Sequence, residues 1–223
     1  MELSPVAQDY LKAIFHLEEE YGRPVRTVEI ADAVGVTSPS VTNMVETLDE
    51  RDLVEYTPYK GVELTEEGET VVLNLVRKHR LLETFLTECL DVPWTDVHRE
   101  ADRLEHHVSD ELADRLADFL GDPATDPHGD PIPGADLTVA DERSYTPLTA
   151  YDIGETVVVE RVPDRDHDVR EYLFEHGLEP GTELALEAVT PVGIVDVVPD
   201  DADNSVAIPT QVARRIGARA TSR

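Results

Sequence analysis

The chain has 223 residues, and its 48 Asp or Glu against 19 Lys or Arg give a formal charge of -29, a composition that resembles cytosolic proteins of salt-accumulating halophiles. Its 40% hydrophobic residues can fill ordinary cores, which excludes global disorder, and the single cysteine excludes intrachain disulfides and cysteine-based zinc fingers. No apolar run approaches the roughly 18 residues of a membrane span, and the acidic start MELSPVAQDY is unlike a signal peptide, so we expect a cytoplasmic protein without a membrane partner.

The first seventy residues have the pattern of a winged helix-turn-helix. Ser4 and Pro5 are typical of a helix start, and the apolar spacing that follows predicts a helix over about 5–20. Thr27 is predicted to cap a second helix, and Ser38 with Pro39 is predicted to begin a third. The stretch LVEYTPYKGVELT predicts a two-stranded wing at about 53–57 and 62–65. Residues 1–72 are therefore predicted to form a DNA-binding domain.

The middle of the chain is predicted to be all helical. A long helix is expected from Thr65 to about Leu90, another from Trp94 to His107, and a third is capped by Ser109. The apolar residues of this third helix are expected to lie on one side: Leu112, Leu116, Phe119 and Leu120. These helices define a second domain over residues 73–140.

The last part of the chain changes to β texture. Residues 121–136, GDPATDPHGDPIPGAD, contain four prolines and three glycines and predict a loop or linker. The runs ETVVVERV, TELALEAV and GIVDVV then predict short strands, with HDVREYLFEHG as a helix between them. A small β-barrel over residues 147–223 fits this texture, so the fold class is mainly α with a small β domain.

Histidines and carboxylates accumulate on two helices of the middle domain. His79 and Glu83 are one helical turn apart, and in VHREADRLEHH four such groups are predicted to share one helix face: His98, Asp102, Glu105 and His106. A buried group of carboxylates repels itself unless a cation is present. Imidazole and carboxylate without thiolate suit Mn2+ or Fe2+, and Zn2+, Co2+ or Ni2+ can substitute.

The order of these units resembles the iron- and manganese-dependent repressors of the diphtheria toxin repressor family. So do the motifs QDYLKAIFHLEEE, RKHRLLETFL, DRLEHHVSDELADRL and DPHGDPIPG, which cover residues 5 to about 140. The segment after residue 147 resembles the SH3-like third domain of that family more weakly. The resemblance implies a homodimer, with the helix 109–120 and part of the preceding long helix at its interface. It also implies a repressor of metal-uptake genes that binds an operator in double-stranded DNA when its metal is bound.

The resemblance also implies two metal sites. The first would join the first helix to the middle domain through Asp9, Asp102, Glu105 and His106. The second matches His79, Glu83 and His98, and acidic residues of the barrel can complete it, for which the best matches are Asp166 and Asp168.

Three positions bear on which metal is bound. Position 9 is Asp, as it is in the manganese branch of the family, whereas the iron branch has Met there. Position 102 is also Asp, whereas the iron branch has Cys and the manganese branch has Glu at that position. Oxygen ligands favour Mn2+ over softer metals. Lys12, in contrast, replaces a carboxylate of the manganese branch, which argues against a paired manganese site of that style.

The third helix is the predicted recognition helix. Its candidate base contacts are Ser38, Pro39, Ser40, Thr42, Asn43 and Thr47, and the candidate phosphate contacts are Arg26, Arg51, Tyr59 and Lys60. Any winged-helix fold exposes polar residues at such positions, and the acidic charge by itself argues against a nucleic-acid partner.

Two other functions are open at this level. A metal-independent winged-helix regulator or architectural DNA-binding protein would use the acid and histidine groups as a salt-bridged solvated face. A helical-bundle metalloenzyme would use them for catalysis, but di-iron bundles need Glu-x-x-His motifs and this chain contains none. Because nucleophile motifs and phosphate-binding glycine loops are also missing from the sequence, no enzyme activity, catalytic residue or small organic substrate is expected.

Overall fold

Helices dominate the first 120 residues, with one short pair of strands, and strands dominate from Thr146. The structure is a computed structural model that describes residues 3–139, 145–163, 167–202 and 204–221. The helices are α1 Pro5–Tyr21, α2 Thr27–Val34, α3 Ser38–Asp49, α4 Glu66–Leu90, α5 Trp94–Leu104, α6 Asp110–Leu120, α7 His167–Glu175 and α8 Thr210–Ala213. The strands are β1 Val54–Thr57, β2 Gly61–Leu64, β3 Thr146–Pro147, β4 Thr156–Arg161, β5 Glu183–Val189, β6 Ile194–Pro199, β7 Val206–Pro209 and β8 Gly217–Ala220. Short 3-10 turns cover Glu105–His107 and Leu148–Ala150.

The chain divides into two compact units. The first consists of Met1–His79, Asp102–Asp114 and Pro133–Thr138. The second consists of Arg80–Ala101, Arg115–Ile132 and Val139–Arg223. No helix among the described residues combines the length and apolar character needed to cross a lipid bilayer.

The winged helix-turn-helix forms the start of the first unit, as predicted. Ser4 caps α1, because its Oγ accepts a hydrogen bond from the backbone N–H of Ala7. The second helix begins at Thr27, but its N-cap is Arg26 and not Thr27 as predicted. Strands β1 and β2 pair antiparallel as the wing. The apolar faces of these elements share one core that includes Leu11, Ile14, Ile30, Val41, Val45, Leu48 and Val62.

Helix α5 is shorter than the sequence predicted. It ends at Leu104, and Glu105 and His106 lie in the 3-10 turn that follows. A 3-10 turn winds more tightly than an α-helix, so these two residues leave the α-helical spacing that was used to place them on one face with His98.

Helix α6 begins where the sequence predicted, with the Ser109 hydroxyl accepting a hydrogen bond from Leu112 N. Its buried residues include Ala113 and Ala117, whereas Leu112 and Phe119 are exposed. Leu116 and Leu120, the other two residues of the predicted apolar side, are half-buried, so this side is only partly covered in the single chain.

The second unit contains a six-stranded antiparallel sheet in the order β3-β8-β4-β5-β6-β7. Strands β4 to β6 were predicted, whereas β7 and β8 were missed because each has only four residues and a weak alternating pattern. Trp94 of α5 packs in the same core as Leu173, Leu184, Val197 and Ile208.

The proline-rich stretch 121–132 contains no helix or strand, as predicted, but it is packed and not a free linker. The backbone N–H of Val162 donates to the carbonyl of His128 at 2.9 Å. Gly129 has φ +88°, and a Cβ there would lie 1.9 Å from the carbonyl oxygen of Glu160. Only glycine permits this approach, which holds the neighbouring polar residues inside the unit.

Candidate metal and DNA-binding sites

Five potential metal ligands converge in the first unit, and we call them the primary cluster: Asp9 from α1, His79 from α4, Asp102 from α5, and Glu105 and His106 from the 3-10 turn. They form two triads that share Glu105. In the Asp9 triad (Asp9, Glu105, His106) and in the His79 triad (His79, Asp102, Glu105), the donor atoms lie within 4.8 Å of one another. The shared Glu105 side chain is only 1% exposed.

His106 is oriented from both sides of its ring. Its Nδ1 lies 2.6 Å from Oε1 of Gln8, and its Nε2 lies 3.0 Å from Oδ1 of Asp9. When Nδ1–H donates to the Gln8 oxygen, a neutral imidazole presents the Nε2 lone pair to the Asp9 carboxylate. Two lone pairs at this distance repel each other, so either the ring carries a second proton or a cation lies between them. A metal-binding histidine has this arrangement, with its second ring nitrogen donating to an acceptor.

Lys12 lies inside the His79 triad. Its Nζ is 2.8 Å from Oε2 of Glu105, 3.1 Å from Oδ1 of Asp102 and 3.1 Å from Nδ1 of His79. The Nδ1 atom of His79 also lies 2.6 Å from Oε2 of Glu105. The tautomer of His79 decides which contact it makes, because Nδ1 donates to Glu105 when protonated and accepts from Lys12 when it is not.

The charges of the primary cluster shift its pKa values in opposing directions. Burial alone would raise the pKa of Glu105, but hydrogen bonding to His79 and the charge of Lys12 outweigh it and lower this pKa. Burial likewise would lower the pKa of Lys12, but the carboxylates of Glu105 and Asp102 raise it. Burial raises the pKa of Asp9, with the His106 charge acting against it. Glu105 and Lys12 are therefore held as ions.

A second group lies wholly in the second unit, and we call it the buried cluster: Glu83, His98, Asp126 and His128. Glu83 is fully buried, and its two oxygens face different histidines. Oε1 lies 3.0 Å from Nδ1 of His98, and Oε2 lies 3.5 Å from Nδ1 of His128. A carboxylate between two imidazoles is an arrangement that a divalent ion can occupy.

The tautomer of His128 is set by the backbone. Its Nε2 lies 3.0 Å from the carbonyl oxygen of Trp94, which can only accept, so Nε2 carries the proton. A neutral His128 therefore directs an Nδ1 lone pair towards Glu83, as a metal ligand would. Oδ1 of Asp126 accepts from the backbone N–H groups of His128 and Asp130. Burial, with the charges of Asp130 and Glu83, raises the pKa of Asp126 well above its usual value.

Both clusters fit a divalent ion of the first transition row. They offer carboxylate oxygen and imidazole nitrogen without thiolate, and a histidine in each cluster donates through one ring nitrogen and presents the other. Two donors that each lie about 2.2 Å from an ion are at most about 4.4 Å apart, so the observed spacings need shifts of only a few tenths of an ångström.

The structure distributes the predicted ligands differently from a single helix face. Asp102, Glu105 and His106 belong to the primary cluster, and His98 bonds to Glu83 in the buried cluster. Asp166 lies outside the described residues. Asp168 is the second residue of α7 and is exposed, and it belongs to none of the ligand clusters found within the described ranges.

Two members of the buried cluster were missed as candidates, Asp126 and His128. The Asp-x-His spacing in the loop motif DPHGDPIPG was visible in the sequence. A loop rich in proline and glycine gave no reason to expect buried polar side chains, because such loops usually lie on the surface.

The candidate DNA-binding residues all belong to the winged helix, and nearly all of them are exposed. All ten are exposed except Thr42, which is half-buried: Arg26, Ser38, Pro39, Ser40, Thr42, Asn43, Thr47, Arg51, Tyr59 and Lys60. The hydroxyls of Thr42 and Thr47 donate to carbonyls one turn back in α3. Arg26 pairs with Glu29. The donor hydrogens of both threonine hydroxyls are thus used within α3.

Three family models match the chain in order. Residues 2–62 match the iron dependent repressor N-terminal DNA binding domain, and residues 65–134 match the iron dependent repressor metal binding and dimerisation domain. Residues 146–220 match the FeoA domain. The fold thus comprises a winged helix-turn-helix, a helical domain and an SH3-like β domain.

Full-length relatives agree with these matches. The iron-dependent repressor IdeR of Mycobacterium bovis is 32% identical over 226 residues, which cover 96% of this chain and 97% of that protein. The diphtheria toxin repressor of Corynebacterium glutamicum is 34% identical over 193 residues, 82% of this chain and 84% of that protein. A solved manganese-dependent transcriptional repressor in complex with manganese is 37% identical, with a TM-score of 0.86 over 96% of this chain and 100% of that one. The chain therefore belongs to the iron-dependent repressor family, whose members are metal-dependent DNA-binding repressors.

Proposed function

We propose that this protein is a transcriptional repressor of metal-uptake genes whose binding to operator DNA requires Mn2+ or Fe2+. The observation that carries the proposal is the geometry of His106. Its Nδ1 faces the Gln8 oxygen, and its Nε2 faces Asp9 at 3.0 Å. Membership of a family of metal-dependent repressors supports the same function, and it favours a regulator over an enzyme or a metal-independent DNA-binding protein.

The ion that controls DNA binding is assigned to the Asp9 triad. Asp9 lies on α1 of the DNA-binding domain (residues 1–72), whereas Glu105 and His106 lie in the helical domain (residues 73–140). A bound ion would supply two positive charges to two carboxylates and would link these domains. Glu83, His98, Asp126 and His128 would hold a second ion. The domain at residues 147–223 packs around Trp94, which orients His128, and so supports this second site.

The donor set favours Mn2+ or Fe2+ as the physiological metal. Carboxylates and imidazoles without thiolate match these ions, and Zn2+, Co2+ or Ni2+ would substitute in vitro because they bind the same donors. Relatives of this chain are named as iron-dependent and manganese-dependent repressors, and one solved complex contains manganese.

DNA binding is assigned to the exposed residues of the winged helix, and the protein would bind DNA as a homodimer. The α3 residues Ser40, Asn43 and Thr47 would face the major groove, and Arg51 and Lys60 would contact phosphates. The exposed Leu112 and Phe119 of α6 would pack at the dimer interface. Metal would favour the domain arrangement that sets two recognition helices at operator spacing, which couples metal binding to DNA binding.

Operator titrations with each metal test the proposal. DNA fragments enriched from a random pool by the metal-loaded protein would be titrated in Mn2+ and in Fe2+, with wild type, His106→Ala and His107→Ala. His107 is the matched control because it is the exposed neighbour of His106 in the same turn. We expect metal to strengthen binding at least tenfold for wild type and His107→Ala but not for His106→Ala.

An equal metal response in wild type and His106→Ala would remove His106 from the controlling site. Wild-type binding that is equally tight in the presence of a chelator would reject metal control altogether.

A further inference from the structure

Lys12 occupies a position in the primary cluster that suits a cation. Its Nζ lies close to one potential ligand atom of each member of the His79 triad, at 3.1 Å from Nδ1 of His79, 3.1 Å from Oδ1 of Asp102 and 2.8 Å from Oε2 of Glu105. A second contact joins Nζ to the other oxygen of Glu105 at 3.1 Å. An ammonium group has three N–H donors, so these acceptors are enough to satisfy it completely.

The lysine is enclosed and not a surface residue that happens to reach the cluster. Its side chain is 13% exposed, and Glu105 beneath it is 1% exposed. A buried ammonium costs several kcal/mol in lost hydration unless charged partners surround it. The surrounding carboxylates meet that cost, so the ammonium is stable where it lies.

The charges balance with one divalent ion. Asp9, Asp102 and Glu105 together carry three negative charges, and Lys12 carries one positive charge. A single divalent ion in the Asp9 triad brings the cluster to neutrality. A second divalent ion in the His79 triad would add two positive charges within a few ångströms of Nζ, where little water remains to screen them.

Distances also separate the two kinds of cation. The oxygen and nitrogen atoms around the ammonium lie 2.8 to 3.1 Å from Nζ. A transition-metal ion requires its oxygen and nitrogen ligands at about 2.0–2.2 Å, so the two cations cannot occupy the same place.

We propose that Lys12 is a tethered cation that fills the His79 triad, so that the primary cluster takes one divalent ion, bound in the Asp9 triad, and not two. The proposal rests on the metal-binding role assigned above. In this arrangement Lys12 joins α1 to Asp102 and Glu105 without metal, and the divalent ion adds a second link through Asp9.

Metal stoichiometry tests the proposal. Mn2+ bound at equilibrium would be counted by dialysis and elemental analysis of the full chain carrying Glu83→Gln, which removes the carboxylate that both His98 and His128 face in the buried cluster. In this background the chain with Lys12 is expected to bind one ion in the primary cluster. Lys12→Glu is expected to bind two, because the extra carboxylate removes the ammonium and balances a second ion. Lys12→Arg keeps the cation and is expected to bind one.

Two further measurements do not depend on DNA binding. Electron paramagnetic resonance of Lys12→Glu should show a coupled Mn2+ pair, which the parent chain should lack. Lys12→Gln, a neutral variant for use if Lys12→Glu does not fold, should also take up a second ion. With metal removed by a chelator, Lys12→Gln should melt at a lower temperature than the parent chain, because Glu105 has lost its buried positive partner.

Each outcome is decisive. Two ions in the primary cluster of the parent chain, or one ion in every foldable Lys12 variant, would overturn the proposal about Lys12 and leave the metal-dependent function intact. If the parent chain and its His106→Ala derivative both bind no ion in this cluster, the proposed function itself fails.

Discussion

Glu18 of α1 accepts a hydrogen bond from the backbone N–H of Leu64 in β2, at 2.7 Å. Glu18 is 4% exposed and also pairs with Arg23 at 2.9 Å. The contact joins the helix that carries Asp9 to the wing that carries the candidate phosphate contacts Tyr59 and Lys60. A buried carboxylate here is explained by a backbone donor at the end of a short strand that needs an acceptor.

Replacing Glu18 should loosen the winged helix. Glu18→Ala leaves the buried Leu64 N–H without this acceptor, which costs about 1–3 kcal/mol. Amide hydrogen exchange in α1 and β2 should speed up accordingly. Glu20→Ala, at an exposed position on the same helix, is the control and should change stability by less than about 0.5 kcal/mol. Equal exchange rates in Glu18→Ala and wild type would contradict this role.

The same residue predicts a pH dependence. Burial raises the pKa of Glu18 above its ordinary value of 4.5, with the Leu64 hydrogen bond and the Arg23 charge acting against burial. The unfolded chain therefore loses this proton at lower pH than the folded chain. Stability contributed by Glu18 is complete below pH 4.5 and is lost as the pH rises through the folded pKa. Glu18→Gln has no proton to lose at this position. The free energy of unfolding of the variant should therefore rise relative to that of wild type as the pH rises, as measured by urea unfolding at several pH values.

Gln8 should control the metal affinity of His106. Gln8→Leu removes the acceptor of the Nδ1 hydrogen bond, and loss of such an orienting partner typically weakens metal binding 10–100-fold. Gln8→Glu keeps an acceptor oxygen at this position and should bind metal at least as tightly as wild type. Competition with a chromophoric chelator measures both affinities. Wild-type affinity in Gln8→Leu would show that Gln8 does not orient the ligand.

Phe119 should hold the homodimer together. It is 69% exposed on α6 in the single chain, and Phe119→Glu places a charge where the interface is proposed to form. Sedimentation should show a monomer for this variant and a dimer for wild type. Val192→Glu, at an exposed apolar position between β5 and β6, is the control and should remain dimeric. A dimeric Phe119→Glu would move the interface away from this part of α6.

Asn43 should discriminate between DNA sequences. Asn43→Ala removes the exposed amide of α3 and should weaken binding to the selected operator by about 1–3 kcal/mol, roughly 5- to 150-fold. Binding to unrelated DNA should change little, because phosphate contacts dominate there. Metal uptake measured by dialysis should stay at the wild-type level. Equal losses on operator and unrelated DNA would indicate a phosphate contact instead of base recognition.

Local pattern determined most of the secondary structure. The apolar spacing of α1 and α3, the proline start of each and the turn of the wing act within a few residues, so the sequence predicted these elements closely. The acid and histidine groups of the helical domain were also visible, because carboxylates and imidazoles are residue types that bind divalent ions.

Residue spacing did not show how those groups are divided between two sites, whereas the tertiary structure does. The 3-10 turn after Leu104 brings Glu105 and His106 to α1, whereas His98 of the preceding helix reaches Glu83. Packing of the proline-rich loop buries Asp126 and His128, and Lys12 reaches across more than 60 residues of sequence to His79 and Glu105. Residue spacing describes neighbours along one helix. The electrostatic partner of a buried charge is set instead by whichever distant segment packs against it.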